Sequence, residues 1–334
     1  MIHPWNLDLF RQVTADPEHM PHAILLHGPA GVGKYALAIE LARWALCQQP
    51  GETGACGVCD ACNWFDHGNH PDFRLVEPME AEAEEGEAAT AKKAPKKGGR
   101  LIKVEAIREI TQFLNLTAHR GGWRVALFHP AELMNPAAAN ALLKTLEEPP
   151  ARVLLLLVSH QPGRLLPTVV SRCRQWALPL PPRDDALAWM RAAGVAEPDS
   201  LLAEAGGAPL AALAFAEPER AARREAFLDL LARPRQLDAC QAAHSFQPDL
   251  ADAWGWLARW LHDLLARRLA GQVHYFPRRA ETIGQIASAC DLADMLAFQR
   301  ELALAGRWLR HPLNAQLLLE SWLIRYSEIA GVKA

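Results

Sequence analysis

The chain holds 334 residues, half of them apolar and 22% charged, with 35 Lys and Arg against 38 Asp and Glu for a net charge of −3. At roughly 150 residues per domain this predicts two or three domains with a sizeable core and excludes a disulfide-stapled miniprotein. The charge balance lacks the basic excess by which a lone nucleic-acid binder neutralises phosphates, so any contact with DNA or RNA must be local or shared with partners.

The N-terminus, Met1-Ile2-His3-Pro4-Trp5-Asn6, lacks the charged start and apolar stretch of a secretory signal, and the expected compartment is the cytoplasm. The longest aliphatic run, Val153 to Val158, is six residues, far short of the ~20 that cross a bilayer. No membrane partner is expected.

The first predicted strand, Ala23 to His27, runs into Gly28-Pro29-Ala30-Gly31-Val32-Gly33-Lys34-Tyr35 and then a helical stretch, Ala36 to Leu46. Strand, glycine loop and helix in this order form a phosphate cradle. The glycines let backbone N–H groups turn toward an anion at the helix N-terminus, and Lys34 would reach the outer phosphates. Gly28, Gly31, Gly33 and Lys34 are therefore the candidate nucleotide-binding residues. The last position is Tyr35, where phosphoryl-transfer sites place a Ser or Thr hydroxyl on Mg²⁺. The rigid phenol cannot take that place.

Seven cysteines follow an uneven pattern, with Cys47, Cys56, Cys59 and Cys62 inside sixteen positions. In a reducing compartment such a cluster reads as metal rather than disulfide. C-x2-C turns deliver paired thiolates, and four soft ligands suit a tetrahedral structural zinc with no open position. His67 and His70 are alternative ligands that could replace Cys47. Cys173, Cys240 and Cys290 are isolated and read as small buried hydrophobes.

A second strand is predicted over Phe73 to Val76. Glutamates are then followed by Lys92, Lys93, Lys96, Lys97 and Arg100 among Ala and Gly, and residues 79 to 99 read as a mobile charged surface insertion. The third strand, Val125 to Phe128, ends in His129-Pro130-Ala131-Glu132, where an active site would present an Asp for the metal and an acid for the attacking water. Histidine is a poor Mg²⁺ ligand and proline offers no base. Two defects thus fall on the same chemistry, and the loop is expected to survive as architecture without hydrolysing nucleotide alone. Lys34 and the loop amides leave binding of ATP or ADP open.

The fourth strand, Val153 to Val158, is as aliphatic and unalternating as the others, the pattern of parallel strands covered on both faces. Thr168-Val169-Val170-Ser171-Arg172-Cys173 follows, with Arg172 at the domain edge. Pro179-Leu180-Pro181-Pro182 stops the strand before it and marks a boundary. Helical sequence resumes at Asp184, breaks at Gly206-Gly207-Ala208-Pro209, and breaks again near Arg233-Pro234. Beyond lies a helix whose Trp254, Leu257, Ala258, Leu261, Leu264 and Leu265 share one face, with Trp256 and Trp260 on a second. Two apolar faces suit a helix between neighbours, whether in its own bundle or against another subunit.

These residues together resemble the bacterial replicative clamp-loader family of the AAA+ class. The matching stretches are His27-Gly28-Pro29 through Lys34, Cys56-Gly57-Val58-Cys59-Asp60-Ala61-Cys62, Asn69-His70-Pro71-Asp72-Phe73, and Ile102-Lys103-Val104 with Ile107-Arg108. Most specific is Ala138-Ala139-Asn140-Ala141-Leu142-Leu143-Lys144-Thr145-Leu146-Glu147-Glu148-Pro149-Pro150, followed by Ser171-Arg172-Cys173. The likeness is dense over about 180 residues and looser to the C-terminus, where His311-Pro312-Leu313-Asn314 is similar to the family's collar.

The resemblance implies an α/β AAA+ P-loop domain with a parallel sheet and a zinc knuckle over 1–180 (zinc module 47–65, insertion 79–99). An all-α lid over 181–238 and an all-α collar over 239–334 would follow. It implies a subunit of the DNA polymerase III holoenzyme with no ATPase activity and no small-molecule substrate of its own. Its partners would be the motor (gamma/tau) and delta subunits and, through the complex, the sliding clamp and primed DNA. Arg172 would then act as an arginine finger in a neighbour's ATP site. Gly207-Ala208-Pro209-Leu210 stands where active relatives carry a nucleotide-sensing Arg. Two other readings compete: an active P-loop ATPase that tolerates Tyr35, and a zinc-dependent nucleic-acid-binding module.

Overall fold

A computed structural model describes residues 2–81, 98–119, 122–306, 309 and 314–331, and divides the chain into two compact units, Met1–Pro182 and Arg183–Ala334. The first unit is α/β. In chain order it contains α1 (Leu7–Thr14), β1 (Ala23–His27), α2 (Lys34–Leu46), α3 (Asp60–Asp66), β2 (Phe73–Val76), β3 (Met79–Ala81) and β4 (Gly98–Leu101). These are followed by α4 (Val104–Asn115), β5 (Arg124–Phe128), α5 (Pro136–Glu147), β6 (Val153–Ser159), α6 (Pro167–Val170) and β7 (Arg174–Ala177).

Five strands form one sheet in the order β2-β5-β6-β1-β7, every neighbouring pair parallel. All residues of β5 and β6 are buried. Leu25, Ala126, Phe128, Leu155 and Leu157 join Ile107, Ile110 and Leu114 of α4 and Leu142 and Leu146 of α5 in one hydrophobic cluster. The opposite face receives α2, which packs on β5 and β6. Burial on both faces is why these strands read as unbroken aliphatic runs. The strand halted by Pro179 is β7, whose Arg-Gln-Trp-Ala sequence is mostly exposed because it edges the sheet beside β1.

The segment expected to be an irregular insertion begins and ends in paired backbone: β3 and β4 form a separate antiparallel ribbon, with Met79 opposite Leu101 and Ala81 opposite Gly98. The charged stretch between them, residues 82–97, lies outside the described residues, as do His311, Pro312 and Leu313.

The second unit is helical. Helices α7 (Arg183–Ala192), α8 (Pro198–Glu204) and α9 (Pro209–Phe215) share a small core of Ala186, Leu187, Met190, Leu201, Leu202, Ala212 and Phe215. A larger core gathers α10 (Pro218–Leu231), α11 (Ala239–Phe246), α12 (Leu250–Ala270), α13 (Ala280–Ala289), α14 (Leu292–Ala305) and α15 (Ala315–Ala330). Helix α12 runs through its centre, with Trp256 and Trp260 fully buried among the chain's own helices. Trp260 donates its indole N–H to Tyr326 Oη at 2.9 Å, and that hydroxyl donates in turn to the Leu231 carbonyl. Both tryptophans are thus spent inside the bundle, whereas Trp254 is half-buried with its indole N–H on the Leu302 carbonyl.

One cysteine reading is corrected. Cys173 and Cys290 are buried as expected, but Cys240 is exposed. Helix α11 buries Ala242, Ala243 and Phe246, which turns Cys240 to the other face.

Candidate functional site

The glycine loop sits at the C-terminal end of β1, where its three glycines adopt backbone angles that other residues resist: φ is +147° at Gly28, +81° at Gly31 and +87° at Gly33. At Gly28 a Cβ would lie 2.2 Å from the Leu178 carbonyl oxygen, so the loop is pressed against the chain that follows β7. Lys34 opens α2 at the loop's end and is 2% exposed.

Its ammonium turns back onto the loop itself, donating to the Gly28 carbonyl at 2.9 Å and to the Pro29 carbonyl. Burial pushes its pKa down to about 8, against the pull of Glu132. The N-terminal segment closes the other side. Asn6 Nδ2 and Trp5 Nε1 both donate to the Val32 carbonyl, at 2.9 and 3.0 Å, and His3 stacks on Trp5 with ring centroids 5.0 Å apart. A Cβ on Gly33 would meet the His3 ring at 2.4 Å. Nothing in the sequence signalled this contact between residues 3–6 and the loop.

Next to Lys34 in the chain, Tyr35 joins a cluster of rings. Tyr35 packs on His129 at 4.5 Å between centroids, and His129 meets His160 edge-on at 5.6 Å. Burial raises the Tyr35 phenol, with Glu77 adding to the effect, and burial lowers His129. His160 falls to about 4, first through burial and then through the charge of Lys34, so both histidines stay neutral near pH 7. Glu132 is buried and accepts the His160 backbone N–H at 3.0 Å through Oε1, while its Oε2 has no hydrogen-bond partner among the described residues. The arrangement leaves the Glu132 carboxylate near Lys34.

Arg172 follows α6. Its Nη2 pairs with Glu147 Oε1 of α5 at 2.5 Å and its Nη1 donates to the Thr168 carbonyl at 2.9 Å. The side chain is one-third exposed, so the guanidinium lies at the rim of the unit and is held by its own chain.

The four clustered cysteines converge. Cys47 caps the C-terminus of α2, Cys59 caps the N-terminus of α3 and Cys62 lies in its first turn, so two helix ends fix three of the sulfurs. All four Sγ atoms lie within 4.8 Å of one another, with Cys47–Cys62 at 3.6 Å, Cys47–Cys59 at 3.9 Å and Cys56–Cys62 at 4.0 Å. A tetrahedral zinc with Zn–S near 2.3 Å would set its sulfurs about 3.8 Å apart. The donor set therefore fits.

Backbone N–H groups already aim at the sulfurs. Those of Cys56 and Gln49 reach Cys47 Sγ at 3.3 and 3.4 Å, and that of Cys62 reaches Cys59 Sγ at 3.5 Å. Burial pushes the Cys62 thiol up to about 12, while against burial the N–H groups of Cys62 and Gln48 hold Cys59 at about 6. Four sulfurs this close could all ionise only with a cation among them. His67 and His70, the alternative ligands, face other partners: His67 Nδ1 is 2.7 Å from the Asn63 carbonyl, and His70 Nδ1 accepts from the Asp72 N–H at 3.1 Å.

A parallel sheet whose first strand feeds a glycine loop and then α2 defines a P-loop α/β protein. A family profile described as DNA polymerase III, delta subunit, matches residues 6–181, and one described as its C-terminal part matches residues 218–328. The chain is 38% identical to DNA polymerase III subunit delta' of Pseudomonas aeruginosa over 99% of its own length and 98% of that protein's. It is 33% identical to the subunit of the same name in Escherichia coli K12, over 97% and 94%. Among solved structures, a gamma subunit-related protein from Thermotoga maritima aligns over 97% of this chain and 99% of that one, at 18% identity and a TM-score of 0.45. The chain belongs to the DNA polymerase III delta' family, within the clamp-loader class its motifs resemble.

Proposed function

We propose that this chain is the non-hydrolysing subunit of a clamp-loader complex. It assembles with motor (gamma/tau) and delta subunits in the cytoplasm and helps place a sliding clamp on primed DNA. It presents Arg172 to the ATP site of a neighbouring motor subunit. Residues 1–180 act as the AAA+ module, 181–238 as the lid and 239–334 as the collar that joins subunits, with α10 of the lid segment packed into the collar's core. Zinc held by Cys47, Cys56, Cys59 and Cys62 supplies the charge that fixes the rim of the first module. It has a structural role there, since four sulfurs leave no open coordination position.

The observation that carries this reading is the Tyr35–His129 pair, whose rings stand 4.5 Å apart where a hydroxyl and a carboxylate would be needed to grip Mg²⁺. With Tyr35 in place of a Ser or Thr after Lys34 and His129 at the end of β5, Glu132 is the carboxylate left near Lys34, chemistry within the chain lacks its usual metal ligands, and an arginine at the rim is what remains to act in trans. Arginine fingers stabilise charge in the transition state and are worth about 10³ to 10⁵ in rate. Arg172→Ala is therefore expected to assemble normally into the reconstituted complex while single-turnover hydrolysis at the adjoining site falls by about 10³-fold or more. Unchanged hydrolysis would remove the finger role.

A further inference from the structure

A cavity of about 340 Å³ opens beside the sulfur cluster, walled by Trp44, Trp64, Trp123, Leu46, Pro50 and His70. We infer that it is a docking pocket for a proline-containing segment of a partner polypeptide in the polyproline II conformation.

The walls are set before any ligand arrives. Trp44 is buried and its indole N–H is fixed on the Gly51 carbonyl at 2.9 Å; Trp64 stands edge-on to His70 and to His119 at 6.0 and 6.3 Å. A rigid aromatic slot loses little freedom when filled. The chemistry of the lining is neutral. Among the lining residues there is no Lys or Arg, and the one carboxylate, Asp72, already accepts the His119 N–H at 3.1 Å through both oxygens and lies 3.5 Å from Arg124 Nε. A nucleotide or a DNA strand, whose binding draws on cations at the phosphates, finds none here.

Two donors complete the site. His70 is 8% exposed and its Nδ1 accepts from the Asp72 N–H, which places the ring proton on Nε2. Neither that Nε2–H nor the indole N–H of Trp123 has a hydrogen-bond partner among the described residues. A neutral lining that includes three tryptophans and unpartnered N–H donors suits a ligand with flat apolar rings and unused carbonyls. Polyproline II offers both: it makes no internal hydrogen bonds, so its carbonyls are free, and its proline rings stack on aromatic faces. The volume, near the low end of the about 300–1,000 Å³ usual for ligand pockets, suits one or two side chains rather than a whole cofactor.

The test uses the full-length, zinc-loaded chain, following its indole N–H resonances by NMR while acetyl-hexaproline amide is added. A Gly-Ser hexapeptide and oligo-dT serve as the other arms. Saturable shifts at Trp44, Trp64 and Trp123 with hexaproline alone are expected. Trp123→Ala should weaken that binding at least about tenfold, and Trp123→Phe, which keeps the ring but loses the donor, about fivefold. If Trp123→Ala fails to fold, Trp123→Phe carries the comparison. The inference is overturned by the absence of saturable shifts, by equal shifts from the Gly-Ser peptide, by binding that both variants leave unchanged, or by oligo-dT producing the shifts instead.

Discussion

The phosphate loop and the sulfur cluster sit at opposite ends of α2, and they solve the same problem in opposite ways. At the N-terminal end, Lys34 brings a buried positive charge, and the chain answers it with its own groups: the Gly28 and Pro29 carbonyls and the nearby carboxylate of Glu132. At the C-terminal end, Cys47 meets three more sulfurs within 4.8 Å, with Arg43, itself paired with Asp66, acting by charge on Cys62. One end is answered by groups of the polypeptide; the other has the donor set to hold a cation. On the proposed function, the loop persists as a structural element without its chemistry, whereas the cluster depends on the metal it holds.

The largest effect that would break this contrast is at the cluster. Cys59→Ser should release the metal and destabilise the first unit by several kcal/mol, on the order expected for part of a structural zinc site. Metal analysis together with thermal unfolding, with and without chelator, checks it. A native chain without zinc, or a variant as stable as its parent, would put the two ends of α2 on the same footing.

A smaller effect is expected from Gly28→Ala. The new Cβ would strike the Leu178 carbonyl, which is backbone and cannot swing aside, and φ of +147° disfavours any side chain, so a loss of about 1–3 kcal/mol follows. Chemical denaturation measures it. A neutral outcome would mean the loop is looser than its contacts indicate.

A third effect belongs to Lys34 and appears as a pH dependence. Its folded pKa, near 8, lies below the ordinary value of 10.5, so between those values the unfolded chain binds more protons than the folded one. Stability of the first unit should therefore rise as the pH goes from 8 to 10.5, once the cost of keeping a buried ammonium charged is relieved. Lys34→Met should remove that slope in unfolding measured across this range. A slope of the same size in the variant would assign it to other groups.

The parts legible in the sequence were those whose burial writes itself into composition. Strands β1, β5 and β6 were readable because helices cover the sheet on both sides, β2, at the other edge, through its short Phe, Leu and Val run, and the cysteines because metal spacing is local. Strand β7 carried no aliphatic run because it lies at the sheet's edge, and only the prolines after it gave it away. The inward turn of Lys34, the closure of the loop by His3, Trp5 and Asn6, and the hold of Glu147 on Arg172 join residues far apart in sequence and leave no periodic trace. Glu147 and Arg172 each stood in a recognisable motif, yet nothing in either predicted a 2.5 Å ion pair between them. Cys240 was misread for a different reason: its helix phase, set by Ala242, Ala243 and Phe246, was available and outweighs the residue's general preference for burial.

On the proposed function, this chain contributes an arginine across a subunit boundary and no hydrolysis of its own. DNA-stimulated ATP hydrolysis by reconstituted complexes carrying either Lys34→Met or Arg172→Ala in this chain alone separates the two roles. Full activity is expected with Lys34→Met and a large loss with Arg172→Ala; loss with Lys34→Met and full activity with Arg172→Ala would overturn the proposed function.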